Sequence, residues 1–333
     1  MTWKPLARTI HHVHYETDNT FYTFSKEHKP SLTVDSGAKV SFDNTHAGFV
    51  NLTRDSTTAD AVALNIQSPK DLEKLIGQLY VNGPVYVNSA EPGDILKVEI
   101  LELQTGSWGW TAVIPGMGLL QDEIPGPHIM TFDLPESQDY AVFKPGIHIP
   151  CQPFCGTMGV APAEGEQFAL YPRNDIGGNF DCRYLGQGST LFLPVNVPGA
   201  LFSVGDAHFC QGDGEICCTA LETTMRSRMR LSVIKGKGKL AGPHYETDPE
   251  RVKQMVSVAS KGEHGALITG TDRDMVVKQA VREMMRWLEE EKGLTKVEGY
   301  MLFSIVGNLK MMHEIGLGVY TVSASIPLGI FVD

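Results

Sequence analysis

The sequence predicts a mainly β protein of sandwich or barrel type, built from many short strands, with a smaller α+β region at its C-terminal end. Three observations lead there. Over the first two-thirds of the chain, short apolar or alternating runs are separated by Gly, Pro, Asn and Asp, the residues of tight turns. Helical periodicity is scarce before the last quarter. The character then changes around Lys235-Gly236-Lys237-Gly238-Lys239. We therefore expect a β-rich region over 1–240, which contains the polar residues taken up below, and an α+β region over 241–333.

Taken in order, Pro84-Val85-Tyr86-Val87 runs into the turn-like Glu91-Pro92-Gly93-Asp94 and then into Ile95–Leu101. That last run alternates apolar and charged residues, as a half-buried strand does. Thr190–Val195, Ala200–Val204 and Ile216–Glu222 read as strands in the same way. Trp108-Gly109-Trp110 with Ile114-Pro115-Gly116 reads as an aromatic loop, over a pocket or in an interface between subunits. Arg226, Arg228 and Arg230 fall on one strand face and suggest an exposed strand guarded by charge. From Asp272 to Lys292, apolar residues at 277, 280, 281, 284, 285 and 288 form a helical stripe, with Thr271 as N-cap and Gly293 as the stop. Glu289-Glu290-Glu291 at its end is expected to be a solvated face. Thr295-Lys296-Val297-Glu298 has capping-box spacing before a second helix near 299–307, and Tyr320–Ile326 closes the chain as a strand.

Composition narrows the function. Of 333 residues 42% are hydrophobic and 20% charged, enough for a large core and against disorder. The net charge of -11 argues against nucleic acid or an anionic membrane as partner. No apolar run reaches the roughly 18 residues of a membrane span, and the N-terminus lacks the apolar stretch of a signal peptide, so a soluble, cytoplasmic protein is expected. Six cysteines at 151, 155, 182, 210, 217 and 218 form no C-x-x-C pair and read as reduced, mostly buried thiols. His11, His12 and His14 could be a metal cluster, a solvated run or a partner surface.

The densest chemistry lies in Asp206-Ala207-His208-Phe209-Cys210-Gln211-Gly212-Asp213-Gly214-Glu215. Side chains two apart on an extended backbone share a face. Asn179 with Asp181, Asp206 with His208, and Asp213 with Glu215 therefore form three pairs. Converged, they offer carboxylate oxygens and an imidazole nitrogen, a set suited to zinc or another divalent cation. A further carboxylate could serve as base. Turn chemistry accounts for any one of these aspartates, but not for His208, Gln211 and Glu215 together. The spacing is also similar to a cupin metal motif, with Asp206 in place of the first histidine and the glutamate displaced. Cys210 as a nucleophile activated by His208 is disfavoured, because these residues lie nearly 7 Å apart on an extended strand.

Several ordered blocks resemble the acetamidase/formamidase family of metal-dependent amide hydrolases. They include Gly83-Pro84-Val85-Tyr86-Val87 with Ala90–Asp94, Trp108–Ala112, Gly156–Pro162, and Gly177-Gly178-Asn179-Phe180-Asp181. Pro198–His208 with Gln211–Glu215, and the end from Tyr300-Met301-Leu302 to Leu328, complete them. The resemblance implies homo-oligomers and hydrolysis of a small linear amide to a carboxylate and ammonia. It implies Asp181, Asp206 and His208 as ligands of a divalent metal, zinc or calcium, and Glu215, assisted by Asp213, as the base. Asn179, Gln211, His46 and Asn51 are the expected substrate contacts. Where the family usually reads Asp-Ala-x-x-Gly-Gln, this chain has His46-Ala47-Gly48-Phe49-Val50-Asn51, so charge and volume differ there. A cupin-like isomerase or oxygenase, or a binding protein without turnover, are the competing readings.

Overall fold

The computed structural model describes residues 11–15, 17–45, 52–63, 79–124, 126–238, 240–258, 260–314, 316 and 318–332. Strand outweighs helix, 44% to 16%, and the strands do not close into a barrel. The main sheet runs through the strands Gly177–Asn179, Phe154–Gly159, Phe202–Cys210, Leu221–Ile234, Ile95–Val113, Thr190–Pro194 and His244–Glu246, in that spatial order. Val81–Val87 adds to Phe202–Cys210, and Ala38–Asn44 adds to Leu221–Ile234.

Three local readings change on folding. The aromatic pair lies inside the long strand Ile95–Val113 rather than in a loop, and Trp110 is 1% exposed. Leu221–Ile234 is not an exposed strand, because it pairs on both sides with Ala38–Asn44 and Ile95–Val113. Its arginines instead make cross-strand ion pairs, Arg226 with Asp43, Arg228 with Glu102 and Arg230 with Glu99. The Ile216–Glu222 run enters its strand only at Leu221, so residues 216–220 are a connection.

Towards the C-terminus, Glu263–Gly270, Tyr320–Pro327 and Asn308–Glu314 form a three-stranded sheet with Tyr320–Pro327 in the middle. The helix Arg273–Lys292 buries Val276, Ala280, Val281, Met284, Met285 and Leu288, the stripe that the 3.6-residue period predicts. Its N-cap is Asp272, one residue after the expected Thr271, with the carboxylate accepting from the Met275 amide. Gly293 stops it at φ 63°, a left-handed conformation that glycine adopts without strain. The capping box of Thr295 and Glu298 opens the next helix, Lys296–Val306.

The apolar residues form two large clusters. One lies along the main sheet and includes Phe42, Leu96, Val98, Met158, Phe202, Val204, Ala207, Met225 and Met229. The other joins the C-terminal helices to Phe209, Cys210, Ile216, Cys217 and Leu221. Tyr300 ties them further: its hydroxyl donates to the Ile216 carbonyl and accepts from the Leu120 amide. The strand Phe202–Cys210 thus passes from one core into the other, and the polar residues between those anchors are held from both ends. Among the described residues, no helix is long and apolar enough to cross a membrane.

Candidate active site

Asp206 and His208 project together from Phe202–Cys210, as alternation predicts, with His208 Nε2 3.2 Å from Asp206 Oδ1. The neighbouring strand brings a residue that sequence reasoning missed. Glu222 is the register partner of His208, and its Oε2 lies 3.3 Å from His208 Nε2. Asp206, His208 and Glu222 are 2%, 1% and 1% exposed, so this side of the site is closed to water. Phe154 packs edge-on against the His208 ring at 4.9 Å. A signal for Glu222 was present, since it is the one charged residue between Ile216 and Met225.

On the other side, the strand Phe154–Gly159 places Gly156 between the pairs Cys155↔Ala207 and Thr157↔Gly205, opposite Asp206. A Cβ at Gly156 would lie 2.4 Å from Asp181 Oδ1, 2.5 Å from Asp206 Oδ2 and 2.9 Å from His208 Cε1. The missing side chain therefore marks a point that Asp181, Asp206 and His208 all border. The Gly156 carbonyl accepts from the Phe180 and Asp181 amides at 3.0 and 3.2 Å, which fixes Asp181 against it.

Asn179 carries the next layer. Its Oδ1 accepts from the Thr157 hydroxyl at 2.5 Å, while its Nδ2 donates to Asp181 Oδ2 at 2.9 Å. The same Thr157 hydroxyl lies 3.4 Å from Asp206 Oδ2. Asn179 thus orients one carboxylate and connects it to the other. Asn179→Ala is expected to weaken binding of a divalent metal about 10- to 100-fold, as loss of a group that orients a ligand does. A competition titration with a chromophoric chelator would measure it, and unchanged affinity would exclude this role.

The third expected pair separates. Gly214 sits at φ 114° and Glu215 at φ 41°, so the backbone is not extended there and the two acids no longer share a face. Glu215 turns inward and joins Asp181 and His208, with donor atoms within 4.8 Å of one another. Asp213 instead accepts from the Tyr184 hydroxyl at 3.0 Å, while its carbonyl accepts from the Leu309 amide at 2.9 Å. It anchors the loop to the C-terminal region. Gln211 is 2% exposed and donates through Nε2 to the Asp181 carbonyl at 2.8 Å, which leaves Oε1 buried without a protein partner. His46 and Asn51 lie outside the described residues.

Backbone strain collects at the same place. Asp181, Asp206 and Glu215 have φ of 48°, 57° and 41°, the left-handed region that costs a non-glycine residue about 1–3 kcal/mol. Such strain persists only where the surrounding structure enforces it.

Electrostatics point the same way. Asp181, Asp206, Glu215 and Glu222 crowd around one imidazole, an arrangement that cannot keep every carboxylate ionised. Burial, and then the charge of Asp206, push the Asp181 carboxyl up to about 7. Burial, and then Asp181, hold Glu215 well above the usual carboxylate range. Burial opposes charge on His208, but Glu222 and Asp206 together outweigh it and raise the imidazole well above its ordinary value. Around them, Asp181 Oδ1 and His208 Nδ1 are buried without hydrogen-bond partners.

These donors fit a divalent cation. A tetrahedral ion with bonds of about 2.0–2.1 Å keeps its ligand atoms about 3.3 Å apart. The 3.2 and 3.3 Å spacings from His208 Nε2 to Asp206 and Glu222 match that edge. A thiol nucleophile does not fit. Cys210 is buried with Sγ 3.4 Å from the Ile305 carbonyl, and burial pushes it up to about 11, away from the reactive thiolate. The six cysteines are all free, and Cys155, Cys210 and Cys217 are buried.

The relatives of this chain make it an amidohydrolase. The acetamidase/formamidase family matches residues 29–169 and 163–333, and the chain belongs to that family. A Schizosaccharomyces pombe protein assigned as a formamidase is 27% identical over 323 residues, covering 76% of this chain and 77% of its own. The structure of an acetamidase from Bacillus halodurans aligns with TM-score 0.62 at 26% identity, over 96% of this chain and 98% of that one. A gamma lactamase from Delftia acidovorans shares the fold more closely, with TM-score 0.81 at 21% identity, over 95% of this chain and 90% of its own.

Proposed function

We propose that the protein hydrolyses a small linear amide, of the formamide or acetamide kind, to a carboxylate and ammonia, with a divalent metal, zinc or calcium, at this site. The observation that carries the reading is the convergence of carboxylate oxygens from Asp181, Asp206, Glu215 and Glu222 on the His208 imidazole, in two groups whose donor atoms lie within 4.8 Å of one another. Asp181, Asp206 and His208 would hold the ion, and Glu222 Oε2 adds a fourth donor, its other oxygen already accepting from the Ala220 amide. The chemistry such an ion supplies is polarisation of a carbonyl oxygen and acidification of a water.

Protein groups do the rest. Glu215 is half-buried while Asp206, His208 and Glu222 are closed off, so it stands on the side from which substrate and water arrive. Its raised affinity for protons suits a group that takes the proton of the attacking water and returns it to the departing ammonia. Gln211 Oε1 is the free acceptor for an amide N–H of the substrate, with the orientation of its side chain set by Nε2 on the Asp181 carbonyl. Asn179 acts through Asp181, and Asp213 acts through the loop that it anchors.

Glu215→Gln separates proton transfer from ligation. The expected result is full metal content, measured by elemental analysis, with ammonia release from short amides lowered about 100-fold or more. Loss of the metal together with turnover would instead make Glu215 a ligand and overturn its role as base.

A further inference from the structure

We infer that the chain carries a second divalent-metal site, formed by His12, His14 and Asp43. The histidine run left unexplained by the amide chemistry supplies two of its ligands. His12 lies in the strand His11–Val13, which pairs in parallel with Ala38–Asn44 through His12↔Ser41 and Val13↔Phe42. That register carries His14 alongside Asp43, and alternation puts His12 and His14 on one face. Their rings stack with centroids 4.1 Å apart.

Both imidazoles then converge on a single oxygen. His12 Nε2 is 2.9 Å and His14 Nδ1 3.4 Å from Asp43 Oδ2. These spacings bracket the roughly 3.3 Å edge of a tetrahedral ion with nitrogen and oxygen ligands. The three donor atoms all fall within 4.8 Å of one another. Two imidazole nitrogens and one carboxylate oxygen select zinc or another late first-row cation over magnesium or calcium.

The carboxylate is prepared for this. Arg226 Nε binds Oδ1 at 2.7 Å, which orients the group and leaves Oδ2 to the histidines. Asn82 Nδ2 donates to the Asp43 backbone carbonyl and fixes the strand beneath it. His12 is 24% exposed and His14 62%, which leaves the fourth coordination position to water.

An ion here would staple a three-residue edge strand to the main sheet, tying the N-terminal segment to Ala38–Asn44. It lies apart from the amide site. Asp43 and Arg226 stand on the ion-paired face of their strands, whereas their neighbours Phe42 and Met225 point into the core.

The test uses the full chain, stripped of metal by chelation and titrated with zinc near neutral pH. Two classes of bound zinc are expected. His14→Ala, whose exposed side chain is not needed for folding, should lose one class while retaining ammonia release when the other is filled. His208→Ala should lose the other class. In that variant, zinc should still raise the melting temperature, and the added His14→Ala change should abolish the rise. A His14→Ala protein that binds as much zinc as the parent, with the same affinities, overturns the inference. Loss of a class in His14→Ala but none in His208→Ala supports this site and counts only against the metal in the amide site.

Discussion

Replacing His208 with alanine is expected to remove metal from the amide site and to lower ammonia release about 1,000-fold or more. The size follows from geometry. His208 belongs to both groups of converging donors, with Asp181 and Glu215 on one side and Asp206 and Glu222 on the other. Without it, only carboxylates remain around a buried space, and their mutual repulsion favours protonation over binding of a cation. Polarisation of a carbonyl by a metal contributes several kcal/mol, and each 1.36 kcal/mol is a factor of about ten in rate. Elemental analysis and an ammonia assay on the same preparation would check both halves. Full activity in this variant would refute the site.

Gly156→Ala should be nearly as damaging although it removes no functional group. Gly156 does not have a left-handed φ, so alanine meets no backbone penalty, and the effect isolates the added methyl. That methyl would sit 2.4 Å from Asp181 Oδ1 and 2.5 Å from Asp206 Oδ2, inside the space the donors share. Overpacking of this kind costs about 1–3 kcal/mol of stability. The folded fraction at ordinary temperature should therefore survive while metal content and turnover fall together. Denaturant unfolding beside metal analysis separates the two effects. A Gly156→Ala protein with normal metal content would show that the space above residue 156 is not where the ion sits.

Much of this site was legible in the sequence because part of it is local. Asp206 with His208, and Asn179 with Asp181, meet as the two-residue period predicts, although Asp206 and Asp181 themselves take left-handed φ of 57° and 48°. The same rule failed for Asp213 and Glu215, because Gly214 at φ 114° and Glu215 at φ 41° break the extension between them. Trp108 and Trp110 were misread for a related reason: glycine between two aromatic residues looks like a turn, yet Gly109 lies against the Glu222 carbonyl, where a side chain would collide. The glycine allows close approach of strands rather than a bend.

Glu222 and Gly156 could not be found by spacing at all. Glu222 reaches His208 only because Leu221–Ile234 pairs with Phe202–Cys210 in one register, and a shift by one residue would turn it to the other face. Gly156 matters through the side chain it lacks, which has no meaning until Asp181, Asp206 and His208 surround it. The arginine series shows the same limit, since alternation gave its face but not the Asp43, Glu102 and Glu99 carboxylates waiting on both neighbouring strands.

By itself, then, the sequence determined the strand-rich character, the helical stripe and caps of the C-terminal region, and the polar cluster from Asp206 to Glu215. These depend on propensity, periodicity and turn chemistry, which act over a few residues. Only the tertiary structure decided which carboxylates meet at His208, that Asp213 leaves the site, and that His12 and His14 close on Asp43. Those outcomes depend on strand register and on positive-φ positions, where contacts between distant residues override the local rules.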